Sequence, residues 1–243
     1  MKVFKFGGAS VKDAAGVKNL SSIVHQQQGQ LIVVVSAMGK TTNLLETLCN
    51  AYFHRDSKVP AIMKELKDFH LNIVTSLFPL NAPVYKHLEE LFINLENILA
   101  SESSLCYDYE YDRIICFGEL ISTTIISDYM EMEGIENQFI DIRKFLKTDQ
   151  NYRNANIDLE LSEQLCKEAF DFNTSSTFVT QGFIAGTRTN QTTTLGREGS
   201  DYTAALLANL LNAENVTIWK DVPGVMNADP KEYEKAQVIS RMS

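Results

Sequence analysis

Leu31-Ile32-Val33-Val34-Val35 is the segment that most narrows the folds open to this chain. Five apolar residues run without alternation, and four of them are β-branched. A strand with no polar face is buried on both sides, as in a parallel sheet covered by helices. Its surroundings agree. Val3 to Phe6 reads as a shorter buried strand ending in Gly7-Gly8. Asp13 to about Gln27 reads as a helix, and another helix follows from about Leu44. The chain therefore opens strand, helix, strand, helix.

Further on, residues 60–133 are largely helical, with apolar stripes such as Leu88, Leu91, Phe92 and Leu95 at helical spacing. This block reads as a helical insertion covering one edge of the sheet. Asn137 to Ile142, Phe178 to Ile184 and Val216 to Trp219 read as strands; Leu159 to Phe170 and Asp201 to Leu211 read as helices between them. The predicted fold is α/β: one three-layer α/β/α sandwich with a mainly parallel central sheet. Right-handed crossovers place Lys5, Ser36 and Asp221 at one sheet edge.

Charge and cysteine usage exclude several functions. The net charge of −9 argues against a nucleic-acid partner. The longest apolar run, Leu31 to Val35, is far too short to span a membrane, so no membrane partner is expected. Four scattered cysteines form no CxxC pair, which fits a reduced, cytoplasmic protein better than a disulfide framework or a zinc site. No metal ligand set is predicted.

Two polar patches carry the chemistry. Lys5 sits inside an apolar strand, where a lysine is costly unless paired. Gly7 and Gly8 follow it and allow backbone N–H groups close to a phosphate. The second patch, Gly196-Arg197-Glu198-Gly199-Ser200-Asp201, precedes a helix, another anion-ready place. An arginine fork at Arg197 suits a carboxylate, and Asp201 with Glu119 suits an ammonium group. Together they describe a site for a zwitterionic amino acid. The alternative is that Ser200 or Asp201 merely caps the helix. Gly39-Lys40-Thr41 is not a P-loop, because Val34 stands where its first glycine belongs. The hydroxyls of Ser36, Thr41 and Thr42 are free to meet an oxygen-rich ligand, though Thr42 or Asn43 can equally cap a helix. Trp219-Lys220-Asp221 ends a strand before a turn and suits a nucleotide, or is an ordinary turn.

The blocks KFGGASV, VVSAMGKTTNLL, FGELIST, VTQGFIAGT, TTTLGREGSDYTAALLA and IWKDVPGVMNADP, in this order, resemble the aspartate kinases of the amino acid kinase family. The resemblance implies phosphorylation of the β-carboxylate of L-aspartate by ATP with Mg2+, giving 4-phospho-L-aspartate. It implies catalytic roles for Lys5, Gly7, Gly8 and Asp201. Ser36, Thr42, Glu119, Arg197, Ser200 and Asp201 match the aspartate site. Lys5, Gly8, Lys220, Asp221, Met226 and Lys231 fall where the family binds nucleotide. On this reading residues 1–243 belong to one kinase domain, with residues 1–190 mainly serving the amino acid and 191–243 beginning the nucleotide part. Ala9, Glu198, Lys220 and Met226 depart from the family's usual threonine, glycine, threonine and tyrosine. The chain is also shorter than the family's kinase domain and lacks its ACT domains. It is therefore expected to be truncated and nearly inactive, with a homo-oligomer at full length. Glutamate or acetylglutamate kinase, or an inactive ligand-binding fragment, are the alternatives.

Overall fold

The computed structural model describes residues 1–220, 222, 224–229 and 232–241. These residues form strands β1 (Lys2–Phe6), β2 (Leu31–Val35), β3 (Gln138–Ile140), β4 (Lys147–Thr148), β5 (Thr177–Gln181), β6 (Ile184–Thr187), β7 (Thr192–Thr194) and β8 (Asn215–Trp219), together with eight α-helices. These are α1 (Ala14–His25), α2 (Thr41–Phe53), α3 (Val59–Leu77), α4 (Val84–Ala100), α5 (Tyr107–Ile115), α6 (Phe117–Met132), α7 (Leu159–Ala169) and α8 (Gly199–Leu210).

Five strands form one sheet in the order β3-β5-β2-β1-β8, and every pairing in it is parallel. β2 lies at the centre with all five residues buried, as its unbroken apolar run requires. Helix α6 packs across β2, β3 and β5, with α1 against it. Helix α8 packs across β1, β2 and β8, with α7 against it. The sheet is thus sandwiched between helices. α6, from the helical block, covers the β3 side of the sheet as far as β2 and is buried along most of its length.

The register places the site. Lys5 pairs with Val34 on one side and Ile218 on the other, so β1, β2 and β8 end level with one another. Alternation sends Phe4 and Phe6 to one face and Lys5 to the other. On the first face Trp219 stacks on Phe6 at 5.9 Å and meets Phe4 edge-on at 5.7 Å. On the second face stands α8.

One expectation fails in an informative way. Phe178 to Ile184 reads as a single strand, yet the chain leaves the main sheet after Gln181. Gly182 N–H still donates to Val35 O at 2.9 Å, and Phe183 then adopts φ +67°. The segment resumes as β6 in a second, three-stranded sheet ordered β4-β6-β7, which the sequence did not announce. Gly182 is needed here because a Cβ would come within 2.5 Å of Ser200 Cβ. Gly182→Ala is expected to cost roughly 1–3 kcal/mol, typical of overpacking, and to push on the start of α8. Chemical denaturation checks it: a change below a few tenths of a kcal/mol would mean α8 yields freely.

Candidate functional site

The carboxyl ends of β1 and β2, the start of α6 and the start of α8 enclose a cavity of about 230 Å³. Lys5, Ser36, Thr42, Glu119, Ser200 and Asp201 all line it. Six sequence-predicted residues from five separate segments therefore meet in one place.

Lys5 is 6% exposed, and its Nζ lies 2.5 Å from Asp201 Oδ1. Lys220, just beyond β8, places its Nζ 3.2 Å from Asp201 Oδ2. Two ammonium groups thus share one carboxylate. Burial works to raise the Asp201 pKa, but Lys5 and then Lys220 outweigh it and hold it below the usual range. The departure at Lys220 adds a cation where Asp201 already holds one.

Glu119 sits in the first turn of α6, 3% exposed. Its Oε1 accepts the Ala37 N–H at 3.2 Å, while its Oε2 is buried without a hydrogen-bond partner among the described residues. Burial pushes its pKa up to about 8. Gly118 explains how the helix reaches the loop after β2: a Cβ there would lie 2.9 Å from the Ala37 Cβ. The glycine before Glu119 thus marks a close approach, as expected.

The start of α8 is open. Its N-cap is Glu198, in a left-handed conformation at φ +56°, and no side chain caps the first turn. Ser200 and Asp201 are inside the helix, so the capping alternative does not hold. Nor do Thr42 or Asn43 cap α2, whose N-cap is Lys40 without a side-chain bond. Thr41 is buried and donates to Met38 O at 2.6 Å, leaving Thr42 on the cavity wall.

Arg197 is exposed and lines an adjoining cavity of about 450 Å³. Thr42, Phe183 and Gly196 line both cavities. Asp112 braces this region: buried, it accepts from Arg153 N at 3.0 Å, Thr194 N at 2.9 Å and Thr194 Oγ1 at 2.7 Å. Burial raises its pKa to about 6 despite those bonds. A larger cavity of about 650 Å³, near Glu46, Asp56 and Tyr107, is lined mainly from helices, shares Tyr111 and Arg153 with the Arg197 cavity, and holds none of the sequence-predicted site residues.

Other predicted residues stand apart from the cavity wall. A Cβ on Gly7 would lie 3.6 Å from Lys5 Nζ, and the Gly7 N–H already donates to Trp219 O at 3.4 Å. Gly8 is required by packing, since a Cβ would meet Ala37 O at 2.5 Å. Met226 makes an isolated bridge to Val238. Asp221 and Lys231 lie outside the described residues. Phe183 and Asp112 are what sequence reasoning missed: Gly182-Phe183 lies within the stretch read as one strand, and Asp112 within the largely helical block.

A family model described as "Amino acid kinase family" matches residues 1–243. The chain is 33% identical to lysine-sensitive aspartokinase 3 of Escherichia coli, over 99% of this chain and 53% of that protein. It is 31% identical to an aspartokinase of Chlamydia pneumoniae, over 99% of this chain and 52% of that one. Among solved structures it resembles E. coli aspartokinase III in complex with aspartate and ADP, with a TM-score of 0.87 at 30% identity, covering 98% of this chain and 53% of that chain. The chain spans about half the length of each of these relatives.

Proposed function

Because this chain belongs to the amino acid kinase family, we propose that its site transfers the γ-phosphoryl group of ATP to the β-carboxylate of L-aspartate, yielding 4-phospho-L-aspartate and ADP. One observation carries the reading. Lys5 and the bare helix start of α8 offer an anion-transfer end, and the unpartnered Glu119 Oε2 in the same cavity offers an ammonium-binding end. Arg197 next door supplies the carboxylate fork. The aspartokinase names of the relatives, and the aspartate and ADP in the E. coli structure, support the same pair of substrates.

The mechanism follows from charge. A β-carboxylate oxygen attacks the γ-phosphorus, a new O–P bond forms, and the bond to the β–γ bridging oxygen breaks as ADP leaves. A carboxylate is already a nucleophile, so no general base is needed. The barrier is repulsion between two anions, which positioning and fixed cations lower. Lys5 meets the transferring group, with Asp201 aiming its ammonium and Lys220 adding a second cation. Ser36, Thr42 and Ser200 supply hydroxyls, and the backbone around Gly7 and Gly8 shapes the phosphate end. Mg2+ would come with the nucleotide; among the described residues no group of three His, Cys, Asp or Glu side chains forms a cage, and phosphate-bound Mg2+ needs none. Residues 1–190 then serve mainly the amino acid, and 191–243 begin the nucleotide part with Lys220, Asp221, Met226 and Lys231. The family resemblance alone supports a cytoplasmic setting and a homo-oligomer.

Trapping acyl phosphate as hydroxamate, with ATP and a panel of aspartate, glutamate and acetylglutamate, tests the reading; product with glutamate alone would replace aspartate as substrate. Arg197→Ala is expected to raise the aspartate KM more than it lowers kcat, because the α-carboxylate does not react and its contact changes little in the transition state. A kcat defect at unchanged KM would move Arg197 to the phosphoryl group.

A further inference from the structure

We propose that Phe183 limits the length of the amino acid the site accepts, its ring standing at the neck between the cavity of Lys5 and the cavity of Arg197. The inference rests on the reading that one amino acid spans both. Such a substrate ties its α-carboxylate at Arg197 and its side-chain carboxylate at Lys5. It has to pass Thr42, Phe183 and Gly196, the residues common to both walls. Of these only Phe183 is bulky.

The ring has little freedom to yield. Phe183 N–H donates to Thr203 Oγ1 at 3.0 Å, and Phe183 O accepts from Leu195 N at 2.9 Å. Gly199 backs the ring so closely that a Cβ there would come within 2.6 Å of Phe183 Cδ2. The neck is therefore pinned to both β7's exit and the first turn of α8.

The backbone points the same way. Phe183 holds φ +67°, a region that a bulky side chain enters only under strain. Glycine would hold that conformation freely. Strain of this kind gathers at ligand clamps, and here it sets an aromatic ring at the junction of two cavities.

Calorimetric titration of the chain with L-aspartate and with L-glutamate, one methylene longer, tests the proposal on the parent, Phe183→Gly and Phe183→Leu. Phe183→Gly keeps the backbone conformation, and Phe183→Leu supplies the answer should the glycine variant fail to melt cooperatively. One methylene is worth roughly 10–200-fold in discrimination. The preference for aspartate over glutamate is expected to fall about tenfold or more in Phe183→Gly and by a smaller factor in Phe183→Leu, chiefly through tighter glutamate binding. A parent that prefers aspartate, with ratios in the variants within about twofold of it, overturns the role of Phe183 alone. A parent that binds neither amino acid overturns the proposed function and this inference together.

Discussion

Replacing Lys5 by methionine is expected to lower kcat by roughly 10²–10³-fold, the cost of losing one preorganised charged contact to a transition state. The fold should survive. Removing one partner of a buried ion pair normally strands the other at a cost of several kcal/mol. Here the Asp201 side chain is 20% exposed and keeps Lys220 at 3.2 Å, so the penalty falls to about 1–2 kcal/mol. Aspartate should still bind through Arg197 and Glu119. Turnover of the variant made in the full-length protein, set beside its thermal melting, separates the two effects. Near-normal kcat would remove Lys5 from the chemistry, and a collapsed melting transition would make it a structural residue.

The second large effect concerns protons. Glu119 is held at about pKa 8 by burial, so at pH 7 the empty site carries it mostly neutral. Lys5, Asp201 and Glu198 line the same cavity from β1 and α8, Lys220 reaches Asp201 from beyond β8, and Cys116 lies just before α6. An arriving ammonium group stabilises the ionised form, so aspartate binding at pH 7 should release up to about one proton. Affinity should climb by as much as about tenfold per pH unit from pH 6 and level off above pH 8. Calorimetry in two buffers of different ionisation enthalpy counts the proton directly. Equal heats in both buffers would show that Glu119 is already ionised or does not meet the ammonium.

Stability follows with a definite sign. The folded pKa of Glu119 lies above its ordinary value of 4.5, so its contribution is fully present below about pH 4.5 and is lost as pH rises through 8. Glu119→Gln keeps an acceptor for the Ala37 N–H and cannot ionise. It should melt like the parent at pH 5 and higher than the parent at pH 9, while binding aspartate more weakly and with no proton release. A variant less stable than the parent at pH 9 would contradict the buried, neutral carboxyl.

The parts of this molecule written in local pattern were legible in the sequence. β2 falls on Leu31 to Val35 as read, because an unbroken β-branched run can be buried only between two helical layers. Lys5 was legible for the complementary reason: a lysine in an apolar strand demands a partner, and Asp201 is that partner. Glu119 was marked by Gly118, whose missing side chain lets α6 meet the loop at Ala37. What was hidden depends on long-range geometry. Gly182-Phe183 lies inside Phe178 to Ile184, which reads as one strand, and Gly182 is the one local sign of the turn at φ +67°. The bonds of Phe183 to Thr203 and Leu195 hold it, and the missing side chain of Gly182 leaves room for Ser200 of α8. Asp112 was hidden too, because its partners Arg153 and Thr194 are distant in sequence. Lys220 stands where the family usually has threonine, and its ion pair to Asp201, invisible in the sequence, sets it beside the cavity.

In the proposed site one amino acid bridges the two cavities in a fixed direction. A crystal structure of the protein with L-aspartate and a non-hydrolysable ATP analogue tests it most directly. The β-carboxylate is expected about 3 Å from Lys5 Nζ, at hydrogen-bond distance, with the α-carboxylate on the Arg197 guanidinium and the ammonium on Glu119 Oε2. Aspartate bound with its α-carboxylate at Lys5, or outside both cavities, would contradict the account.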